Sequence, residues 1–280
     1  MNLATIPHPP PPMLAAFVLL ALAMLAQCLR LERVGWFGGA LAIGVAALSG
    51  LLQPLGLLSV AAALILTGLV RFAPRLEWRL IWLALLLTIA LHALPGYANP
   101  LLWQGRATPD SEVFRLYWSF DKGLAGWLLL CGAGQAGLAG KPWGSTVAWV
   151  GCLLLALTLA LAQVMGMVSF APKWPVWLAP WLFANVFLVA LPEEALFRHG
   201  AQRWLQNRVE PFPALIAASL LFGGAHLAGG WSWMMLASLA GLGYGLVYAA
   251  TGQVLLAALA HAGFNLAHLL LFTYPRLAAY

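Results

Sequence analysis

Two adjacent acidic residues, Glu193 and Glu194, stand near the end of an otherwise apolar run, in the segment LPEEALFRHG at residues 191–200. Inside a membrane helix a charged side chain costs at least about 2.5 kcal/mol, so acids in such a place ordinarily serve a function. Arg198 follows Glu194 by four residues with the acid N-terminal to the base, the favourable order for an ion pair within a helix. Glu193 lies about 100° round the helix from Glu194 and is the acid that remains for chemistry.

Three further polar residues interrupt the apolar stretches that follow: His226 in LLFGGAHLAGG, His261 in LLAALAHAGF, and Asn265 one helical turn after His261. A carboxylate beside imidazoles, in a cavity that excludes much of the water, can accept a proton from a water molecule and make it nucleophilic. A second imidazole and a carboxamide can donate hydrogen bonds to the oxyanion of a tetrahedral intermediate, and one good donor is worth about 3 kcal/mol. These residue types predict hydrolysis.

The same side chains offer an alternative, because Glu193, His226 and His261 are residue types that also bind a divalent metal ion such as zinc. The compact HExxH metal-binding motif does not occur in the sequence, however, and the three ligands would come from three different helices. The sequence therefore favours catalysis without a metal or another cofactor, with a zinc-dependent version of the reaction as the alternative.

The composition restricts the class of protein that carries these residues. Of all residues 63% are hydrophobic and 8% are charged, whereas about 25% are charged in soluble globular domains. The net charge of +6 comes from basic residues scattered between apolar blocks, as is typical of membrane-flanking positions, so no nucleic-acid partner is expected. Cys28, Cys131 and Cys152 lie far apart without a CxxC pattern, which excludes a disulfide framework. The chain is predicted to be a polytopic membrane protein.

Apolar blocks long enough for a helix predict an all-α membrane helix bundle with eight to ten transmembrane helices, since a span requires about 20 residues. The blocks lie at residues 13–29, 34–50, 55–70, 80–94, 124–140, 146–169, 176–198, 212–228, 231–250 and 253–272. The sizeable polar segment 95–123 separates the N-terminal helices, 1–94, from a C-terminal core, 124–272, and a tail, 273–280. The core holds nearly all the unusual polar residues.

Counting along the chain brings the polar residues of the core to similar depths. Glu193 lies 14 residues before the end of a long helix at 207, and His226 lies 14 residues after residue 212, where the next helix begins. At 1.5 Å per residue both are roughly 21 Å from the turn, on antiparallel neighbours. His261 lies about 12 Å into the last helix, with Asn265 on the same face. One pocket is therefore expected to hold Glu193, Glu194, His226, His261 and Asn265.

Basic residues indicate how the bundle is oriented. If every block spans the membrane, one side receives Arg30, Arg33, Arg71, Arg75, Arg79, Lys141, Arg203 and Arg208. The positive-inside rule makes this side cytoplasmic, so the pocket is expected to open towards the cytoplasm. The N-terminal segment has neither a basic region nor a small-residue cleavage site, so the first helix is expected to be retained.

Three motifs of the core resemble those of the CPBP family of intramembrane proteases, which includes type II CAAX prenyl endopeptidases and bacteriocin-processing or immunity proteins. The residues that carry the resemblance are Glu193, Glu194 and Arg198 in the first motif, Phe222 and His226 in the second, and His261 and Asn265 in the third. Each motif alone is weak, but their order and spacing inside membrane helices are specific. The resemblance covers residues 124–272 and leaves the first four helices outside it.

The resemblance implies an intramembrane endopeptidase that cuts a membrane-associated or lipidated protein or peptide near the membrane surface. Glu193 and His226 would activate water, His261 and Asn265 would bind the oxyanion, and Glu194, Arg198 and Phe222 would support them. The expected location is a bacterial or archaeal inner or plasma membrane, with the lipid bilayer and the substrate as the partners.

A non-catalytic membrane protein is the competing class, either an immunity-type binding protein or a transporter in which Glu, His and Arg relay protons. A transporter is expected to show internal repeats with paired broken helices. The sequence contains no convincing second copy of the polar cluster, so the protease interpretation is favoured.

Overall fold

The computed structural model describes residues 8–73, 75–133 and 143–278. Within these ranges the chain forms ten helices and a two-stranded sheet, in agreement with the predicted helical fold. In chain order the elements are α1 (Pro11–Cys28), α2 (Glu32–Leu48), α3 (Pro54–Phe72), α4 (Leu76–Ala90), β1 (Leu101–Arg106), β2 (Val113–Tyr117), α5 (Phe120–Ala133), α6 (Ser145–Val164), α7 (Leu178–Gln206), α8 (Pro211–Gly224), α9 (Trp231–Thr251) and α10 (Val254–Leu271).

Six helices in the described part are long and apolar enough to cross a membrane, namely α1, α3, α6, α7, α9 and α10. Helices α2, α4 and α8 have 17, 15 and 14 residues, which is short of the ~20 that a full span requires. The block predicted at 124–140 continues beyond α5 into residues 134–142, which lie outside the described ranges. Within the described residues, six helices therefore have the length and composition of a span, and the expected eight to ten are not confirmed.

The polar segment 95–123 is more ordered than the sequence predicts. It contains β1, β2 and the first turn of α5. The run VFRLYW, beginning at Val113, is rich in residues that favour a strand, and the turn-forming TPDS at residues 108–111 precedes it. The all-α prediction missed this small sheet because high polarity here was interpreted as the absence of regular structure.

The chain divides into two compact units, of which the first contains α1 to α5 and residues 187–192. Its core depends on close approach to helix α2. Trp127 Nε1 donates a hydrogen bond of 3.1 Å to the carbonyl oxygen of Gly35, and the Trp127 ring would lie 2.0 Å from a Cβ atom at Gly39. The glycine pair at four-residue spacing therefore makes room for a large side chain from α5.

We expect Gly39→Ala to destabilise this unit by about 1–3 kcal/mol, the usual cost of overfilling a well-packed core. The matched control is Gly44→Ala on the same helix, where a Cβ atom meets nothing within 4 Å. That substitution should leave stability unchanged or raise it by up to about 1 kcal/mol, because Ala favours helix more than Gly. Denaturation of the purified proteins in detergent measures both. Equal stabilities of the two variants would contradict the contact.

The second unit holds α6, α8 to α10 and the rest of α7. Helices α6 and α9 approach at the backbone, since a Cβ atom at Gly151 would lie 2.7 Å from the carbonyl oxygen of Gly243. On its other faces α9 offers Gly241 and Gly245, the second glycine pair of the sequence, to α7 and α8. Small residues permit such close helix contacts in membranes. All the site residues predicted from the sequence lie in this unit.

Residues that follow α10 close the end of the second unit. The Tyr274 ring contacts Phe114 at a centroid distance of 4.9 Å, and its hydroxyl accepts a hydrogen bond of 3.2 Å from Trp181 Nε1. Burial raises the pKa of Tyr274 to about 12, so the hydroxyl stays neutral. His268 Nε2 lies 3.2 Å from the carbonyl oxygen of Thr273. These contacts tie the first turns of α7 to the C-terminal end of α10.

Candidate active site

Helix α7 carries the acid pair on a short α-helical segment between two π-helical ones. The π segments are Ala184–Ala190 and Ala195–Gln202, and Leu191–Glu194 lies between them. Pro192 explains the first, because proline donates no backbone hydrogen bond and its ring collides with the carbonyl group four residues earlier. The preceding turn must therefore widen. Wider π turns are rare and occur often at functional sites, where they change which way side chains point.

A row of buried polar residues begins at the second acid of the pair. Glu194, Arg198 and Gln202, at four-residue spacing, are all 0% exposed. Arg198 Nε donates to Glu194 Oε2 at 2.9 Å, and Arg198 Nη1 donates to Gln202 Oε1 at 3.4 Å. The ion pair expected from the sequence is present, and buried charges require such pairing. Gln202 was missed, although its four-residue spacing from Arg198 could have indicated it.

Helix α9 holds this row from the opposite side through its two glycines. Gln202 Nε2 donates a hydrogen bond of 3.2 Å to the carbonyl oxygen of Gly245. A Cβ atom at Gly245 would lie 3.2 Å from Arg198 Nη1, and one at Gly241 would lie 3.3 Å from Arg198 Nη2. The guanidinium also lies 5.5 Å from the Phe222 ring, within the range of a cation–π contact. A side chain at either glycine would therefore crowd the guanidinium, and at Gly245 it would first collide with Leu215 Cδ1, at 2.3 Å.

His261 is the partner that connects this row to the last helix. Its Nδ1 lies 2.9 Å from Glu194 Oε1, so Glu194 accepts from Arg198 with one oxygen and from His261 with the other. The Tyr244 ring stacks on the imidazole at 4.3 Å with an interplanar angle of 11°. His261 is 4% exposed. Two neighbours thus fix the orientation of the ring, and Tyr244 is a contact that nothing in the sequence indicated.

Glu193 has different surroundings from its neighbour in sequence. Its side chain is 16% exposed, whereas the Glu194 side chain is 0% exposed. Glu193 Oε2 lies 3.9 Å from His261 Nε2, which is longer than a direct hydrogen bond. The imidazole of His261 therefore lies between the two acids, with Nδ1 on Glu194 and Nε2 towards Glu193. The two glutamates thus have different surroundings: Glu194 is fully buried in an ion pair, whereas the Glu193 side chain is partly exposed although its Oε2 atom is buried.

His226 directly follows the C-terminal end of α8. Its Nδ1 lies 2.8 Å from the carbonyl oxygen of Phe222, so Nδ1 carries the hydrogen and Nε2 presents its lone pair. The Phe222 ring lies 4.7 Å from the His226 ring and 5.7 Å from the His261 ring. Phe222, four residues before His226, therefore contacts both imidazoles. Its supporting role stays a prediction.

Asn265 lies one turn after His261 on α10 and contacts the long helix α7. Its Nδ2 donates to Asn185 Oδ1 at 3.5 Å, and Asn185 is 5% exposed. Asn185 was missed in the sequence. The available signal was that it is the only amide or charged side chain between Lys173 and Glu193.

The residues proposed from sequence as metal ligands do not assemble as a compact ligand set. Among the described residues, no group of three or more His, Cys, Asp or Glu side chains is placed to hold a metal ion. His261 Nδ1 is occupied by Glu194, and the remaining nitrogen lies 3.9 Å from Glu193 Oε2. Catalysis without a metal stays a prediction, and so does the zinc alternative with Glu193, His226 and His261 as ligands.

The assembled groups suit the attack of water on a carbonyl carbon. An accessible carboxylate, a histidine with a directed lone pair, a second histidine held by a buried acid, and a carboxamide all belong to the second unit. These are the functional types that general-base hydrolysis and oxyanion stabilisation require.

Comparison with known proteins agrees with this chemistry. Residues 175–267, which include every site residue named above, match the family described as type II CAAX prenyl endopeptidase Rce1-like. No curated protein and no solved structure matches the chain significantly. The matched segment begins just before α7 and ends within α10, so it contains the acid pair and both histidines. Residues 175–267, about a third of the chain, are thus similar to the Rce1-like type II CAAX prenyl endopeptidases, which supports an intramembrane protease of this kind.

Proposed function

We propose that the chain is an intramembrane endopeptidase in which Glu193 and His226 activate a water molecule. The observation that carries the proposal is the separation of the two adjacent acids. Glu194 is engaged by Arg198 and His261 in a fully buried cluster, while Glu193 keeps an exposed fraction of 16%. A general base must reach both water and substrate, and of the pair only Glu193 has that access.

The proposed reaction is hydrolysis of a peptide bond without a covalent intermediate. Glu193 takes a proton from water while the water oxygen attacks the carbonyl carbon, and His226 Nε2 accepts a hydrogen bond from the same water. The tetrahedral intermediate then collapses, the C–N bond breaks, and the proton held by Glu193 passes to the departing amine. The products are a carboxylate and an amine, and no other reactant is needed.

In the proposal His261 and Asn265 donate hydrogen bonds to the oxyanion. His261 Nδ1–H is held by Glu194, so a hydrogen on Nε2 would make the imidazole a donor, with its charge balanced by the two carboxylates. Asn265 lies one turn further along the same helix and presents its amide from the same face. Such prearranged donors usually make the largest single contribution to catalysis.

The proposed substrate is a membrane-associated protein or peptide, and a prenylated Cys-aliphatic-aliphatic-X terminus is the form that the family suggests. We propose that the site opens towards the cytoplasm of a bacterial or archaeal cell. Clustered basic residues support this side, including Arg203 and Arg208 at the end of α7 and the loop that follows. Lys141, which the same argument uses, lies outside the described ranges.

Cleavage by the purified full chain in liposomes tests the proposal. The probe is an internally quenched peptide with a prenylated Cys-aliphatic-aliphatic-X terminus, compared with the same peptide without its prenyl group. We expect cleavage of the prenylated probe. If neither peptide is cut, comparison of membrane proteomes from cells with the wild type and the Glu193→Gln variant should show a substrate that stays uncleaved in the variant. No difference in either assay would contradict an endopeptidase.

Chelation in the same assay separates the two mechanisms. Because the site residues do not form a compact metal-ligand set, we expect activity to persist after exhaustive treatment with a chelator. Elemental analysis of the purified chain should then show no stoichiometric zinc. Loss of activity with the chelator and its return with added zinc would instead support the metal-dependent alternative.

A further inference from the structure

We propose that Asn185 is a positioning residue that orients the carboxamide of Asn265 for oxyanion binding. The inference rests on the proposed function, because Asn185 has this role only if Asn265 donates a hydrogen bond to the oxyanion. Asn185 lies in the first π segment of α7, eight residues before Glu193. No motif of the sequence includes it.

Burial and isolation make Asn185 unusual for its segment. It is 5% exposed and is the only amide or charged side chain among the residues between Lys173 and Glu193. An amide moved from water into apolar surroundings without a hydrogen bond costs about 1–3 kcal/mol by mutational data. Its hydrogen bond to Asn265 Nδ2, at 3.5 Å, is therefore a specific contact between two helices in an otherwise apolar region.

The contact lies among other hydrogen bonds that join α7 to α10 and the residues after it. Together they connect Trp181 with Tyr274, Asn185 with Asn265, and Glu194 with His261. The residue numbers in these pairs increase along α7 while those of the partner residues decrease, as in an antiparallel helix pair. The Asn185–Asn265 contact lies between the other two. Both flanking bonds hold the helices without it, so its loss should disturb one side chain and leave the helix pair intact.

The geometry of a carboxamide explains what Asn185 contributes. Asn265 Nδ2 carries two hydrogens that point in different directions, and its two ends can exchange by a flip of the side chain. Because Asn185 Oδ1 accepts one of these hydrogens, it selects the orientation in which nitrogen occupies that end. The second hydrogen then remains for the oxyanion. Without the acceptor, the Asn265 oxygen could face the oxyanion, and repulsion would replace donation.

The expected result of Asn185→Leu, which keeps similar volume and removes the acceptor, is a fall in kcat of about 10²-fold with KM changed less than about twofold. This is the low end of the loss seen on removing an oxyanion donor. The probe is the prenylated quenched peptide in liposomes. Thermal unfolding is measured beside it and should stay near that of the wild type. If the leucine variant is not recovered folded, Asn185→Ala, which adds no bulk, gives the same comparison.

A double-mutant cycle with Asn265→Ala separates positioning from structural support. If Asn185 acts through Asn265, the double variant should be no slower than Asn265→Ala alone. Losses that multiply would show a separate structural role and overturn the inference, as would unchanged kcat in Asn185→Leu. Thr158→Val is the control, because buried Thr158 bonds only its own helix at Leu154 and should keep full activity. A wild type that cuts no substrate refutes the proposed function instead.

Discussion

Replacing Glu193 by Gln is expected to reduce turnover at least about 10³-fold while the protein stays folded and inserted, because general-base catalysis contributes about 10²–10⁴-fold. The amide keeps the shape of the carboxylate but cannot take the proton of water. Glu193 is not part of the buried ion pair, which joins Glu194 to Arg198. Its replacement should therefore leave that pair and the folding stability in place. Steady-state cleavage of the peptide probe and thermal unfolding measure the two effects.

The neighbouring substitution Glu194→Gln is the matched control, since the two acids differ in surroundings and not in chemistry. It removes the charge that Arg198 and His261 share, so it should lower stability as well as activity. His226→Ala should abolish turnover like Glu193→Gln, and the combined variant should be scarcely slower than either, because residues that act as one unit give non-additive losses. Near-normal turnover of Glu193→Gln would remove it as the base.

Replacing Arg198 by Met is expected to cost about 3–5 kcal/mol of stability, the usual price of leaving one partner of a buried ion pair without its counter-charge. Both Arg198 and Glu194 are 0% exposed. Without the guanidinium, Glu194 would keep a hydrogen bond to His261 but lose its ion pair, and Gln202 Oε1 would lose a donor. Denaturation of the purified variants in detergent, followed by the loss of helical signal, measures the effect.

A second substitution tests that the cost arises from the unpaired acid. Arg198→Met combined with Glu194→Gln removes both charges and should recover part of the lost stability, because the buried charge is gone. Arg208→Met serves as the control. Arg208 stacks on Trp204 at 3.9 Å on the exposed surface near the end of α7, so its replacement should cost less than about 1 kcal/mol. Equal losses of stability in Arg198→Met and Arg208→Met would contradict the expectation that burial of the ion pair sets the cost.

The sequence by itself determined the class of protein and singled out the candidate residues of the site. A membrane interior admits few charges, so hydropathy marked each helix, and the rare acids, imidazoles and amides stood out against an apolar background. Four-residue spacing within one helix is also readable without coordinates, and it predicted the pair of Glu194 and Arg198. These signals depend on composition or on residues close together in the chain, so they can be read from the sequence without coordinates.

Tertiary structure alone decided which partner each polar group meets. The spacing to Arg198 already separates Glu194 from Glu193 in the sequence, but the contact of His261 Nδ1 with Glu194, 67 residues away, is visible only in the folded chain. Asn185 and Asn265 likewise meet across 80 residues. In the first unit His92, which has no partner by sequence, lies 2.7 Å from the buried carboxylate of Asp121.

The ends of the helices and the small sheet in the polar segment 95–123 also could not be read from the sequence. Hydropathy measures how apolar a stretch is, but the end of a helix follows from its caps and neighbours, so several apolar blocks are shorter helices than a full span needs. The pairing of β1 with β2 arises between two short stretches, each too weak to predict alone. Pro192 is visible in the sequence, but the widened helical turns on either side of the acid pair are seen only in the folded helix. A missing backbone donor changes helix geometry in a way that depends on the residues packed around it.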